Sequence, residues 1–203
     1  KSICNQSYPN IEIIIVDDCS IDNTVAVLKQ YAASYPVITI FENEKNLGYT
    51  KNFEKAMSLA NGEYFSPCDQ DDVWDLKKVE EMVLAINDYP LLYCNSILTD
   101  ENLKPVGKLN EKKCLDTYNN CLVFATDNCV AGHAILITKE LFFRANPFPA
   151  DIPHDWWLAY VACFTKGVKY LDKPLVQYRN HSNNVIGAVK INKKRKTLAD
   201  RKA

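Results

Sequence analysis

The run IEIIIVDD at residues 11–18 constrains the fold most. Apart from Glu12, every residue up to its two aspartates is β-branched. A strand that is apolar on both sides has no solvent face, so it belongs in a parallel sheet covered by helices. Asp22 or Asn23 can cap a helix over 24–34, and Pro36 precedes a second strand, VITIF at 37–41. NLGYTKNFEKAMSLANG reads as a loop and then a helix. Its apolar face carries Phe53, Ala56, Met57 and Ala60, and Gly62 stops it. EYFSPC is a third strand, LKKVEEMVLAIND an amphipathic helix and LLYCNSILT a further strand. This alternation predicts an α/β protein with a Rossmann-like, mostly parallel sheet flanked by helices.

The second half is more mixed. DENLKPVGKLNEKK reads as a polar turn region, and residues 117–125 read as helical. GHAILIT is a strand, KELFFRA a short helix, and HDWWLAYVACFTKG an apolar helix opening at His154 and Asp155. VKYLDKPLVQYRNHSNN predicts two short strands and a polar loop. The opening KSICNQSYPN has no methionine and reads as the middle of a helix, so residues are expected upstream of it.

A chain of 203 residues that is 47% hydrophobic can build one domain with a full core, with room for a small appendage. Such a core needs no disulfide staples, and the eight cysteines include no C-x-x-C pair. They read as free thiols in a reducing cytosol, several of them acting as small hydrophobes. No run of 18 apolar residues marks a membrane span. Residues 190–203 carry seven Lys or Arg against one Asp, which leaves the rest of the chain mildly acidic. A tail of this charge suits either a solvated end or peripheral contact with anionic lipid. It lacks the interleaved aromatics of a single-strand binder, so no nucleic-acid partner is expected.

SPCDQDDVWDLKK, at 66–78, crowds Asp69, Asp71 and Asp72 at the end of a strand. Ligands of open α/β sheets bind at such ends, and Asp17 and Asp18 reach another. Alternate side chains of an extended segment share a side, so Asp69 and Asp71 can face one ligand. A hard divalent cation takes one or two carboxylates plus phosphate oxygens. The competing reading is an acid-rich helix N-terminus, which suits Asp72 and Asp75 equally well. An EF-hand fails: Glu80 stands at its glutamate place, but Trp74 holds the glycine place and the spacing of the acids is wrong. No Gly-rich phosphate loop is present.

NQSYPNIEIIIVDDCSIDNT, NLGYTKNF, GEYFSPCDQDDVW and HDWW, in that order and spacing, resemble the family-two inverting glycosyltransferases of GT-A fold. The match runs over roughly residues 1–187. DQDDVW, HDWWLAY and YRNHSNNVIG are most similar to the rhamnosyltransferase-like branch, which builds bacterial surface polysaccharides. The resemblance implies a GT-A domain over 1–189, with a nucleotide-sugar half at 1–98, an acceptor half at 99–189, and the basic tail at 190–203. The family's usual first strand has no counterpart in this sequence, which predicts a gap in the sheet.

The resemblance also implies roles. Asp18 would bind the nucleobase, with Asn46 and Gly48 near the nucleoside. Cys19 stands where Gly or Asn is usual. Asp69 would lie near the donor ribose and Asp71 on Mg²⁺ or Mn²⁺, with Asp72 orienting the metal's surroundings or capping the helix. Trp74 reads as a packing anchor. Asp155 would be the general base, its competing role being a helix cap. Arg179 and His181 would approach the diphosphate, His181 also the metal. His133, His154 and Trp156 would lie on the acceptor side, with Asn128 a further contact; His133 suits a satisfied core histidine as well. The donor would be a dTDP- or UDP-sugar and the acceptor a glycan or lipid-linked glycan, handled in the cytoplasm or at the inner face of its membrane. The rival readings are a nucleotidyltransferase-like protein, a non-catalytic nucleotide-sugar-binding protein, and a receiver-type signalling domain suggested by VDD alone.

Overall fold

The computed structural model describes residues 1–180, which places His181 and the basic tail outside the described residues. Strand β1 (Ile13–Asp17) leads through helix α1 (Thr24–Ser34) to β2 (Ile38–Glu42), and α2 (Tyr49–Leu59) leads to β3 (Tyr64–Phe65). A loop carries the acidic cluster to β4 (Val73–Trp74), then α3 (Lys78–Ile86), β5 (Leu91–Thr99) and β6 (Pro105–Lys108). Strand β7 (Ile135–Thr138), helices α4 (Lys139–Ala145) and α5 (His154–Ala162), and β8 (Val168–Arg179) complete the order. None of the helices among the described residues is long and apolar enough to cross a membrane.

The two longest ladders, β1–β2 and β5–β8, are parallel. The shorter ladders of β3 and β5 with β7, β4 with β8 and β5 with β6 are antiparallel. The six-stranded sheet runs β3-β7-β5-β8-β4, with β6 also on β5. The expected gap is there: among the described residues no ladder joins β1–β2 to this sheet. As a result Ile13 to Val16 are half-buried, where the apolar run predicts full burial. With one strand neighbour, β1 leaves an edge uncovered.

Strand β5 sits in the middle of the large sheet and feeds two cores by strict alternation. Leu91 and Tyr93 face Ile135, Ile137 and the helices α4 and α5. Leu92 and Cys94 face Leu136, Val176 and α3 through Met82 and Ile86. Fully burying side chains of this size stabilises the fold by about 1.5–3 kcal/mol each.

Several elements depart from the sequence reading. The strand predicted over EYFSPC stops at Phe65, because Pro67 has no N–H to give a ladder. Val73–Trp74, which the sequence reading left without an element, pairs with Gln177 and Val176. One long strand replaces the two predicted from VKYLDKPLVQYR: a bulge at Asp172 and Lys173 shifts its register against Cys94 and Asn95. The Asp172 carboxylate holds that bulge by accepting from Asn95 Nδ2 at 3.2 Å and Tyr170 OH at 2.8 Å. Part of the polar turn region pairs as β6. Of residues 117–125 only Cys121–Ala125 is helical, as a 3-10 turn, because Tyr118 bridges to Val168. Residues 2–5 form a turn segment. All eight cysteines are free thiols.

Candidate active site

Three segments carry the predicted site residues. The first follows β1. Asp18 Oδ1 accepts from Asn43 Nδ2 and the Leu47 N–H at 2.8 Å each, and Oδ2 from the Gly48 N–H at 2.9 Å. Asn46 Nδ2 donates to the Asp18 carbonyl at 2.9 Å. Asp18, Asn46 and Gly48 are therefore one hydrogen-bonded unit, holding the entrance to α2. Gly48 is needed for its backbone: φ is +78° at the N-cap, with open space where a Cβ would be. Cys19, next to Asp18 in the chain, is also left-handed at φ 68°.

The second segment is the loop at 66–72. Ser66 Oγ donates to the Ile135 carbonyl at 2.7 Å and accepts from Lys78 Nζ at 2.9 Å. That amine is fully buried and lies 3.3 Å over the Trp74 ring, so Trp74 is indeed a packing anchor. Burial pushes the Lys78 amine down to about 8. Above it, burial pushes the Asp69 carboxyl up to about 6, with the charges of Asp71 and Asp155 adding to the effect. Burial pushes Asp72 up to about 7 against the Arg179 N–H, which donates to its Oδ1 at 3.1 Å. The charge of Asp71 adds to the rise of both Asp69 and Asp72, which marks a place short of positive charge.

The third segment joins α5 to the entry of β7. Asp155 Oδ2 accepts from the Gly132 N–H at 3.0 Å, and Oδ1 from the Trp156 N–H at 2.8 Å. The neighbouring His133 is buried, stacked on Tyr178 at 4.5 Å, with Nε2 2.9 Å from Ser96 Oγ. Its Nδ1 stands 3.8 Å from Asp72 Oδ2. Burial drives His133 down to about 3, so the imidazole is neutral and this contact is no ion pair. One ligand atom each of Asp69, Asp72 and His133 lie within 4.8 Å of one another. Gly132 and His133 thus tie Asp155 to the acidic loop, a connection the sequence reading missed; Gly132 directly before His133 was its one signal.

The remaining predicted residues are placed as follows. Asp71 is half-buried on the acidic loop, and Arg179 ends β8 beside Asp72. His154 is buried against Phe53 at 4.3 Å between ring centroids, and burial lowers its pKa. Trp156 donates its indole N–H to the Phe124 carbonyl at 2.5 Å, bracing the 3-10 turn. Asn128 spends its amide within its own turn, on Val130.

The family follows from comparison with known proteins. Glycosyl transferase family 2 matches residues 1–143. The chain belongs to this family. The chain is 30% identical over 204 residues to the dTDP-rhamnosyl transferase RfbG of Shigella flexneri, covering 93% of this chain and 69% of RfbG. The mannosyltransferase PcManGT of Pyrobaculum calidifontis, solved with GDP-Man and Mn²⁺, superposes with a TM-score of 0.68 at 17% identity, over 90% of this chain and 52% of that one. S. aureus TarS 1-349 with UDP-GlcNAc gives 0.67 at 18% identity, over 90% and 54%. These neighbours share the GT-A fold. The family-2 chain spans about half the length of its Mycobacterium tuberculosis relative, 51%, at 27% identity over 185 residues.

Proposed function

We propose that this chain carries the transfer site of a metal-dependent inverting glycosyltransferase. It moves a sugar, rhamnose in the first instance, from a dTDP- or UDP-sugar to a hydroxyl of a glycan or lipid-linked glycan in bacterial surface polysaccharide synthesis. The reaction takes place in the cytoplasm or at the inner face of its membrane. The observation that carries the reading is the meeting of Asp69, Asp71 and Asp72 with Asp155, close enough that Asp155 raises the Asp69 pKa. RfbG uses a dTDP-rhamnosyl donor by name, which supports the choice of sugar.

Each residue then has a task. Asp18 Oδ2 takes one N–H in this structure and has a lone pair left for the ring N–H of uracil or thymine. Asn46 and Gly48 hold it in place. Asp69 faces the ribose. The residues fit a divalent cation, since the buried Asp72 Oδ2 has no hydrogen-bond partner and the loop offers hard oxygen donors. Asp71 would hold Mg²⁺ or Mn²⁺ together with His181, and Arg179 and His181 would contact the diphosphate. When bound, that cation neutralises the diphosphate and makes it a better leaving group. Asp155, fixed by two N–H donors, takes the proton from the acceptor hydroxyl as that oxygen attacks the anomeric carbon from the face opposite the diphosphate. His133 faces the acceptor side, while His154 and Trp156 support the helix that carries Asp155.

The test is a thermal-shift panel of UDP, dTDP and GDP, each with and without Mn²⁺, followed by transfer assays with the sugar-nucleotides it selects. A manganese-dependent shift with dTDP or UDP, and loss of transfer in Asp71→Asn and Asp155→Asn at unchanged melting temperature, is expected. Full transfer by either variant overturns the assignment.

A further inference from the structure

We propose that Asn43, oriented by Lys55, is a specificity-determining residue of the donor site. It fills one oxygen of the Asp18 carboxylate, so a base offering a single ring N–H is taken. Guanine, which offers a ring N–H and an amino N–H side by side, is turned away. The inference rests on the reading of Asp18 as the base acceptor and adds two residues that lie outside the sequence motifs.

The arrangement starts where β2 ends. Asn43 follows Glu42, and its N–H donates to the Asp17 carbonyl at 2.9 Å, which carries the β1–β2 pairing one step further. Helix α2 presents Asn52 and Lys55, three residues apart, on one face. Lys55 Nζ donates to Asn43 Oδ1 at 2.6 Å. An ammonium can only donate, so the atom it meets is the amide oxygen and the amide nitrogen turns the other way. That nitrogen gives its hydrogens to Asp18 Oδ1 at 2.8 Å and Asn52 Oδ1 at 2.9 Å. Asn52 is fixed in turn by its Nδ2, which donates to the Val16 carbonyl at 2.8 Å. Turned over, the Asn43 amide would set an oxygen against the Asp18 carboxylate and an NH₂ group against an ammonium. Lys55 therefore decides what Asp18 meets without touching it.

The consequence follows from counting acceptors. A carboxylate has about four lone-pair positions, two on each oxygen. The Leu47 N–H takes one on Oδ1 and the Gly48 N–H one on Oδ2. Asn43 takes the second on Oδ1, which leaves a single place, on Oδ2. Uracil and thymine have one ring N–H between two carbonyls, and that place satisfies it. Adenine and neutral cytosine turn a lone pair toward it instead. Guanine pairs with a carboxylate through both oxygens, and here its amino group would face the filled one. An N–H buried without a partner weakens binding.

The test is calorimetry with UDP, IDP and GDP in the presence of Mn²⁺. IDP keeps the ring N–H of guanine and lacks only its amino group. The wild type should bind IDP about tenfold more tightly than GDP, the loss that one unpaired buried N–H brings. Asn43→Ala frees Oδ1 and should bring the two within about threefold of each other. Lys55→Met keeps the stem, releases the amide and should narrow the gap in the same direction, which decides the matter even where Asn43→Ala fails to fold. A merely structural role for Asn43 would weaken all three nucleotides alike. UDP binding with IDP and GDP equal in the wild type, or a gap that both variants leave unchanged, overturns this proposal alone. Absence of UDP binding overturns the transferase reading and this proposal with it.

Discussion

Gly132→Ala is the sharpest probe of how Asp155 is held. A Cβ at Gly132 would lie 2.8 Å from His154 Nε2, 3.1 Å from Cε1 and 3.5 Å from the Asp155 Cβ. Ordinary contact begins near 3.5 Å, so about 0.7 Å must be found. His154 is 6% exposed and packed on Phe53, so it has little room to swing. If the Gly132 backbone yields instead, its 3.0 Å hydrogen bond to Asp155 Oδ2 stretches to about 3.7 Å and is lost. Overpacking of this kind costs about 1–3 kcal/mol of stability. A displacement near 1 Å at the base costs about 100-fold in rate. The expected outcome is a fall in kcat of about 30- to 100-fold with the donor KM unchanged, read as nucleoside-diphosphate release. Adding His154→Ala removes the clash and should return most of kcat, although the cavity it leaves keeps the melting temperature low. Activity and stability then move in opposite directions, which a purely structural defect would not do. A fully active Gly132→Ala, or a double variant as slow as the single one, refutes this account of Asp155.

Other consequences follow from the same geometry. Asp72 titrates near 7 when folded and near 3.8 when unfolded, so between these values the native state holds the extra proton and stability falls as pH rises. His133, pushed down to about 3, acts in the opposite sense between 3 and 6.5. With chelator present, Asp72→Asn removes the first effect alone, so the variant should gain on wild type as pH rises from 4 to 7; a constant difference in melting temperature across that range contradicts the burial argument. Cys19→Gly relieves a left-handed residue at φ 68° and should stabilise by about 1 kcal/mol, seen as a rise of a few degrees in Tm. A fall would mean the Cys19 Sγ contact to the Asn43 carbonyl at 3.2 Å outweighs the strain. Trp156→Phe leaves the Phe124 carbonyl unpaired and should cost about 1–3 kcal/mol in chemical denaturation.

The helices and the two carboxylate-bearing ends were legible because they are local. The helix at 24–34 opens where Asp22 Oδ1 accepts from the Thr24 N–H at 2.9 Å, and the observed α1 has the expected bounds. The acidic loop and Asp155 stand out as motifs. What escaped the reading is long-range. Gly132 meets Asp155 across 23 positions, Ser66 meets Ile135 across 69, and Asp72 meets Arg179 across 107. None of these leaves a periodic trace. Lys78 carries no mark in the sequence beyond its place in an amphipathic helix. It is buried because α3 begins against Trp74, which gives its amine an aromatic face and a hydroxyl in place of water.

The same long-range contacts explain why the acidic loop needs the far end of the chain. Strands β3 and β4 beside it are two residues each, too short to fix a loop that carries three carboxylates. The loop is held instead by Ser66 to the carbonyl that opens β7, by Lys78 from below, and by the Arg179 N–H on Asp72. Arg179 is the last residue of β8, so the backbone leaving that strand and the Asp72 carboxylate share one hydrogen bond. Anything that binds at Arg179 acts on Asp72 through that bond, and any cation at Asp72 acts back on the end of β8. Metal and diphosphate binding should therefore be coupled by more than their direct attraction. An Asp72→Asn variant, which keeps the accepting oxygen but loses the charge, should retain nucleotide affinity without Mn²⁺ and lose most of the enhancement that Mn²⁺ gives the wild type. Equal enhancement in both, measured by calorimetry with dTDP or UDP, would show that the Asp72 charge takes no part in the coupling.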